Sequence, residues 1–362
     1  MSNPKKMQQK HIIHVVESFG SGIIEFISNI VTGLPEHKHT IIYGIREIPF
    51  ESIKDRFPED VNFRHWVHVQ RAISIRLDLY ALIELNKIFK ELAEYDVIHL
   101  HSSKAGFLGR TLFMNQGKKI IYTPNGVSFA AYPTKSLKYY LFSSLEKIAN
   151  LMGGIVVGTS ESEANLFRKI GINASCINNG ISLTKIPPKR DTERKHNLIV
   201  VTVGRITPQK NPTLFNEIAT HFVNNSRIEF IWIGDGELRG ELTSPNITIT
   251  GWMTRKEVEA LTSKSSVYLS TSLWEGLSFA VIEAMATSLP LLLSNCVGNK
   301  DMILNNSNGY LFNDTQSAVK QINSYDHNHS LIKQHGEASL KIFSEKFTSE
   351  SMVHQYNSLY VN

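Results

Sequence analysis

The chain has 362 residues, more than one hydrophobic core usually serves, so two domains of ordinary size are expected. Hydrophobic residues make up 42% and charged residues 20%, a balance that excludes wholesale disorder, collagen and coiled coil. The formal charge is +5, and the excess lies entirely in residues 1–185, which hold 22 basic against 16 acidic side chains. Nucleic acid, an anionic membrane surface, a phosphorylated substrate and a generic soluble surface all remain open as reasons for it. Two cysteines, Cys176 and Cys296, build neither a disulfide framework nor a structural zinc site, so a reducing cytoplasm is the expected location. The apolar run around His14 is too short for a signal-peptide core, and no stretch approaches the roughly 20 apolar residues that span a bilayer.

Short apolar runs alternate with helix-period segments, which predicts a parallel α/β architecture. In the first half the predicted strands are His11–Val16, Thr40–Tyr43, Val97–Leu100, Lys119–Tyr122, Gly154–Val157 and Ala174–Ile177, with helices such as Leu77–Glu94 and Ser136–Met152 between them. The pattern breaks at Lys185-Ile186-Pro187-Pro188, and 186–196 reads as a linker. A second series follows: Leu198–Val203, Ile228–Ile233, Ile247–Thr250, Val267–Leu269 and Leu289–Leu293. The expected fold is therefore two doubly wound Rossmann-like domains, 1–185 and 197–345, facing across a cleft. In such sheets ligands bind at the strands' carboxyl ends.

The first strand ends in Glu17-Ser18-Phe19-Gly20-Ser21-Gly22 before a helix. Such a turn suits close approach of a phosphate, or simply a tight strand-to-helix connection. The full dinucleotide fingerprint is absent, because residue 25 is Glu. Alternation places His99 and His101 on one face of their strand, His101 at its carboxyl end beside Ser102, Ser103 and Lys104, where a ligand contact and a structural role both fit. The next strand runs into Thr123-Pro124-Asn125-Gly126. In Ser136–Met152 the residues Leu137, Leu141, Leu145, Ile148 and Met152 form one apolar face, for which core burial is the favoured expectation. Lys135, Lys138, Tyr139, Tyr140 and Phe142 also give it the character of a membrane-surface element.

The second half is more specific. Val203-Gly204-Arg205 through Lys210 flanks a helix start near Asn211, and two cations there suit a diphosphate. Gly234-Asp235-Gly236-Glu237 is a glycine turn at a carboxyl end. Glu275-Gly276-Leu277-Ser278-Phe279 leads into a helix carrying Glu283. Amides at that helix start suit an anion, and the carboxylates suit sugar hydroxyls.

Taken in this order, residues 198–312 resemble the donor-binding domain of retaining glycosyltransferases of family four, which have the GT-B fold and include bacterial surface-polysaccharide and O-antigen enzymes. Val297-Gly298 with Asp301 and Asn308-Gly309-Tyr310-Leu311-Phe312 extend the match. The Gly20–Gly22 loop, the His99–His101 strand, Ser160-Glu161 and Asn179-Gly180-Ile181 match more loosely. The resemblance implies that Arg205 and Lys210 bind the donor diphosphate and that Glu283 holds the ribose. It gives Glu275 and the amides after Gly276, at Leu277, Ser278 and Phe279, the transferred sugar. Gly204, Asp235 and Gly236 join the donor site, and the base lies against Gly251-Trp252-Met253. Gly20 and Gly22 contact phosphates or acceptor; His101, Ser21, Lys104 and Asn125 lie on the acceptor side, with His101 counted among the catalytic residues. The last helix, in 346–362, is expected to cross back to the first domain. Asn125 stands where the family often has histidine, and Asp301 shortens the usual glutamate, with Asn299 nearby.

No Asp-x-Asp triplet is present to hold a divalent metal on a diphosphate, so no metal and no other cofactor is expected. The expected reaction is retaining transfer of a hexose or N-acetylhexosamine from a nucleotide sugar, most simply a UDP-sugar. The acceptor is a saccharide, with a polyprenyl-diphosphate-linked one at the inner face of the cell membrane as a candidate. An epimerase or phosphorylase on the same fold is the alternative. A basic nucleic-acid-binding module ranks last, lacking zinc spacings, an aromatic RNP pattern or a basic helix.

Overall fold

Strands rich in Ile, Val and Leu are buried on both faces when helices cover a parallel sheet, and the central strands of the chain follow that rule. The computed structural model describes residues 9–45, 50–70, 72–114, 116–182 and 197–362. They fall into two units. One comprises the described residues up to Asn179 together with Ser349–Asn362, and the other those of Gly180–Thr348. The expected linker at 186–196 lies outside the described residues.

In unit one the order is β1 (His11–Val16), α1 (Ser21–Gly33), β2 (Lys38–Tyr43), α2 (Phe50–Lys54), β3 (Asn62–His65), α3 (Ile75–Glu91) and β4 (Val97–His101). Then come α4 (Ser103–Phe113), β5 (Lys119–Thr123), α5 (Leu137–Leu151), β6 (Ile155–Gly158), α6 (Glu161–Lys169) and β7 (Ala174–Cys176). Seven parallel strands form a sheet ordered β3-β2-β1-β4-β5-β6-β7. Period two sorts its side chains. Ile13, Val15, Ile98 and Leu100 join a core with Leu85, Leu108 and Phe129, while His14, His99 and His101 take the opposite face.

Unit two runs β8 (Leu198–Val203), α7 (Pro212–Thr220), β9 (Ile228–Ile233), β10 (Ile247–Ile249), α8 (Arg255–Lys264), β11 (Val267–Ser270) and α9 (Phe279–Ala286). It continues with β12 (Leu291–Ser294), β13 (Gly309–Phe312), α10 (Thr315–His327) and α11 (His329–Lys346). Its parallel sheet is ordered β10-β9-β8-β11-β12-β13. The final helix, α12 (Ser349–Val361), belongs to unit one and packs on α1, with Tyr356 edge-on to Phe26 at 5.4 Å. Both sheets reverse direction of growth beside their first strand, at β1/β4 and at β8/β11. These are the switch points where doubly wound sheets open a crevice at their carboxyl edge.

Two elements escaped the sequence pattern. β3 carries Asn, Arg and His on an edge strand, which leaves no apolar run, and β13 lies inside a glycine-led motif. One expectation is reversed. The apolar stripe of α5 is not core: Leu137 is 84% exposed, Leu141 and Ile148 are exposed, Leu145 and Met152 are half-buried, and Leu151 next to the stripe is 86% exposed. The inward face is Ser143, Glu146 and Ala149. The reason is a buried cation. Arg110 on α4 lies over the Tyr122 ring at 4.3 Å and needs a carboxylate, which Glu146 supplies at 3.0 Å while accepting from Tyr122 Oη at 2.8 Å. Burying an unpaired guanidinium costs more than exposing leucines, so the helix turns its polar face in. Among the described residues no helix is long and apolar enough to cross a membrane.

Candidate active site

In unit two the switch point gathers most of the residues singled out for the donor. β8 ends at Val203, and Gly204 turns the chain with φ +151°. Arg205 follows, and a short 3-10 turn, Pro208–Lys210, delivers Lys210. Asn211 stops that turn in the left-handed region and caps α7, accepting from Leu214 N, with Pro212 at the first helical position, where its missing N–H costs nothing. Lys210 is thereby held at the carboxyl edge. Thr271, just past β11, reinforces it by donating to the Lys210 carbonyl at 2.7 Å.

From the neighbouring strand the loop Thr271–Ser278 brings Glu275 to the same place. Lys210 Nζ meets Glu275 Oε1 at 2.7 Å. Ser272 Oγ donates to the same oxygen at 2.7 Å, and Gln209 Nε2 reaches Oε2 at 3.3 Å while donating to Trp274 O. Glu275 is buried. Burial works against the Lys210 charge, but the Glu275 carboxylate outweighs it and holds the ammonium above its ordinary value. Nearby Cys296 is pushed up to about 12, by burial and then by Glu275, so its thiol stays protonated. The pair presents one fixed cation whose partner carboxylate has its own supports.

α9 begins at Phe279 with Ser278 as its cap residue, and no side chain caps it. Its first-turn N–H groups lack intrahelical acceptors and face outward from the helix start beside Gly276 and Leu277. Glu283 lies further along α9, with Arg255 Nη2 of α8 3.5 Å from its Oε1. On β9's side, Gly234 sits at φ +135°, and a Cβ there would fall 2.2 Å from the Gly204 carbonyl, so only glycine fits. It bridges to Gly251, whose neighbour Trp252 is 71% exposed, while Met253 is half-buried against the edge of the core. Asp235 accepts from Gly236 N at 2.8 Å and pairs with Arg239 at 2.8 Å.

In unit one the picture is looser. α1 starts at Ser21 with Gly20 as its cap residue, two residues earlier than the sequence pattern placed it, and Gly22 falls in its first turn. Gly20 has φ −160°, which any residue adopts, and nothing lies within 4 Å of where a Cβ would be. Nothing inside the unit requires a glycine there. His101 is fully buried rather than lining an open surface. Lys104 is tied to Asp78 at 2.6 Å, an ion pair that joins α4 to α3. Asn125 is partly exposed with φ +54° and donates to Thr123 O. Its loop is held by Glu163, a fully buried carboxylate accepting from Gly126 N, Thr159 N and Thr159 Oγ1 at 2.7–2.8 Å. Burial drives the Glu163 pKa up, against the pull of those donors.

Sequence reasoning missed Gln209, Ser272, Glu163 and Arg255. Ser272 stands three residues before Glu275 and Gln209 beside Lys210, so adjacency was the available signal. Glu163 and Arg255 act across elements and left none.

Two switch-point sheets, a cation pinned at the carboxyl edge, and a carboxylate-bearing helix behind a loop that turns at Gly276 are arranged as in GT-B glycosyltransferases. Residues 197–326 match the family described as Glycosyl transferases group 1, and residues 21–185 match Glycosyltransferase Family 4. The chain belongs to glycosyltransferase family four. It is 32% identical over 280 residues to the Escherichia coli UDP-Gal:alpha-D-GlcNAc-diphosphoundecaprenol alpha-1,3-galactosyltransferase, covering 70% of this chain and 71% of that protein. The Staphylococcus aureus capsular polysaccharide biosynthesis glycosyltransferase CapM is 22% identical, covering 83% and 85%. Among solved structures, Anabaena HepE in complex with UDP-glucose superposes with a TM-score of 0.77 at 15% identity, covering 97% of this chain and 99% of that one.

Proposed function

We propose that the chain transfers a hexose or N-acetylhexosamine, with retention, from a UDP-sugar to a polyprenyl-diphosphate-linked saccharide in surface-polysaccharide assembly. Unit two takes the donor and unit one the acceptor. The observation that carries this reading is the Lys210–Glu275 pair at 2.7 Å at the β8/β11 switch point, with Arg205 in the same loop and Glu283 on α9. In this reading Arg205, Lys210 and the α9 amides take the diphosphate, and Glu283 the ribose. Glu275, with the backbone after Gly276, takes the sugar, and the exposed Trp252 lies against the base. As the bond from the anomeric carbon to the diphosphate oxygen breaks, charge on that oxygen grows, and fixed cations stabilise it more than they do the ground state. The acceptor hydroxyl attacks from the same face and its proton passes to the departing phosphate. The chemistry needs no metal in this account. The relatives support the choice of carrier and acceptor, since one takes UDP-Gal and a diphosphoundecaprenol-linked GlcNAc.

The outward apolar face of α5 favours a peripheral location at an anionic membrane on the cytoplasmic side. Leu137, Tyr140, Leu141, Ile148 and Leu151 are exposed among Lys135, Lys138 and Lys147. Apolar anchors interleaved with lysines suit a headgroup boundary, where a lipid-linked acceptor is presented. The test is a panel of nucleotide sugars followed by nucleotide release, with and without lipid-linked acceptor, in EDTA. Acceptor-dependent UDP release is expected; release that ignores the acceptor, or appears only with phosphate, would favour the epimerase or phosphorylase reading.

A further inference from the structure

Four histidines, His14, His39, His99 and His101, sit side by side on the α1/α12 face of unit one, and the hydrogen bonds that join three of them run one way. His39 Nε2 lies 3.1 Å from the Leu34 carbonyl, which can only accept, so His39 carries its proton on Nε2 and leaves Nδ1 bare. His14 Nε2 lies 3.2 Å from that bare nitrogen and must donate, which leaves His14 Nδ1 bare in turn. His101 Nε2 lies 3.1 Å from His14 Nδ1 and must donate as well. One backbone carbonyl therefore fixes three tautomers, and the last lone pair emerges on His101 Nδ1. That atom is buried without a partner. Burial, with no carboxylate beside them, holds His14 and His101 well below the ordinary histidine value, so both are neutral.

His101 ends β4, and its register partner Val16 ends β1. Two residues beyond Val16, Ser18 Oγ is also buried without a partner. A bare acceptor and an unused hydroxyl at the carboxyl ends of adjacent strands match one chemistry, a molecule bearing O–H. Its hydrogen would go to His101 Nδ1 and its oxygen would accept from Ser18. We infer that His14 and His39 are positioning residues that lock His101 as an acceptor, and that His101 with Ser18 binds a single hydroxyl, from a sugar or from a water. The sugar arm rests on the acceptor role proposed for unit one. A metal ion is the rival use of this cluster, since ring nitrogens of His14, His99 and His101 lie within 4.8 Å of one another. However, His14 Nδ1 and His101 Nε2 already share a proton, both His99 nitrogens are bonded, to Tyr360 Oη and Thr123 Oγ1, and no carboxylate joins the set.

Long-range ¹H–¹⁵N correlation on the labelled full chain at pH 7.5 reads the tautomers directly. His101 should show a bare Nδ1 and a protonated Nε2. His39→Phe, which removes the anchor, should give mixed tautomers at His101. His39→Gln, whose amide both donates and accepts, should restore the single form. A protonated Nδ1 in the wild type, or an unchanged His101 in His39→Phe, overturns the lock. Stoichiometric Co²⁺ uptake lost in His101→Gln overturns it in favour of a metal. Ser18→Ala then separates the two sources. A rise of about tenfold in acceptor KM with donor KM unchanged, the equivalent of one hydrogen bond, identifies a sugar hydroxyl. A lowered Tm with both KM values unchanged identifies a water, and no effect on either overturns the hydroxyl site. Absence of transfer from any nucleotide sugar would defeat the proposed function while leaving the tautomer result standing.

Discussion

Acidification should unfold unit one well before unit two. His14, His39, His99 and His101 are all buried, and burial lowers each one's pKa, that of His39 to about 4 and the others well below 6.5. His99 and His101 meet Phe26, His99 also meets Tyr356, Tyr360 and Thr123, and His14 lies among the other three histidines; only His39 feels carboxylates, Glu36 and Asp60, which raise its pKa in part. With folded values below the unfolded 6.5, the unfolded chain binds more protons as pH falls. The stability from these sites is thus complete above about pH 6.5 and is lost on descent toward the folded values. Each site loses roughly 1.4 kcal/mol per pH unit in that window. At pH 5 that is about 2 kcal/mol for His39, and His14, His99 and His101 act in the same direction, against a domain stability of about 5–15 kcal/mol. Trp66 is the tryptophan of unit one and is fully buried. A chain with Trp232, Trp252 and Trp274 changed to Phe therefore reports on unit one alone. Its urea midpoint should fall steeply between pH 7.5 and pH 5, and a midpoint flat across that range would refute the reasoning.

Arg205→Ala or Lys210→Ala should each cut turnover about 10²-fold or more, the usual loss when a charge-stabilising donor is removed, in a UDP-release assay. Glu283→Ala should raise donor KM about tenfold and leave acceptor KM unchanged, because the hydroxyls assigned to it belong to the ribose. Leu137→Ser with Leu151→Ser should weaken sedimentation with anionic vesicles while leaving Tm within about 2 °C, since both side chains are already in water. Gly234→Ala should destabilise unit two by more than 1 kcal/mol in urea, because a Cβ would strike the Gly204 carbonyl.

The doubly wound plan was legible because parallel strands and their covering helices write two distinct periods into the chain. The meeting of Lys210 and Glu275 at one strand edge was legible for a related reason. Arg205, Lys210, Glu275 and Glu283 sit in strand-end loops and an adjoining helix, so chain order nearly reproduces spatial order. What escaped is what distant elements decide together. The α5 stripe reads as core until Arg110 on α4 is known to need Glu146. The histidine relay joins β1, β2 and β4 to a carbonyl after α1, and no local spacing encodes that. His101 was visible as a strand-end side chain, but its complete burial depends on α1 and α12, the latter arriving from the far end of the chain.

The measurement that bears most directly on the account is UDP release by the purified chain from UDP-hexoses and UDP-N-acetylhexosamines, with a polyprenyl-diphosphate saccharide as acceptor and the product anomer read by NMR. The account predicts acceptor-dependent release in EDTA, an anomer unchanged from the donor, and loss of both in Lys210→Ala. An inverted product, or full turnover in Lys210→Ala, would contradict it.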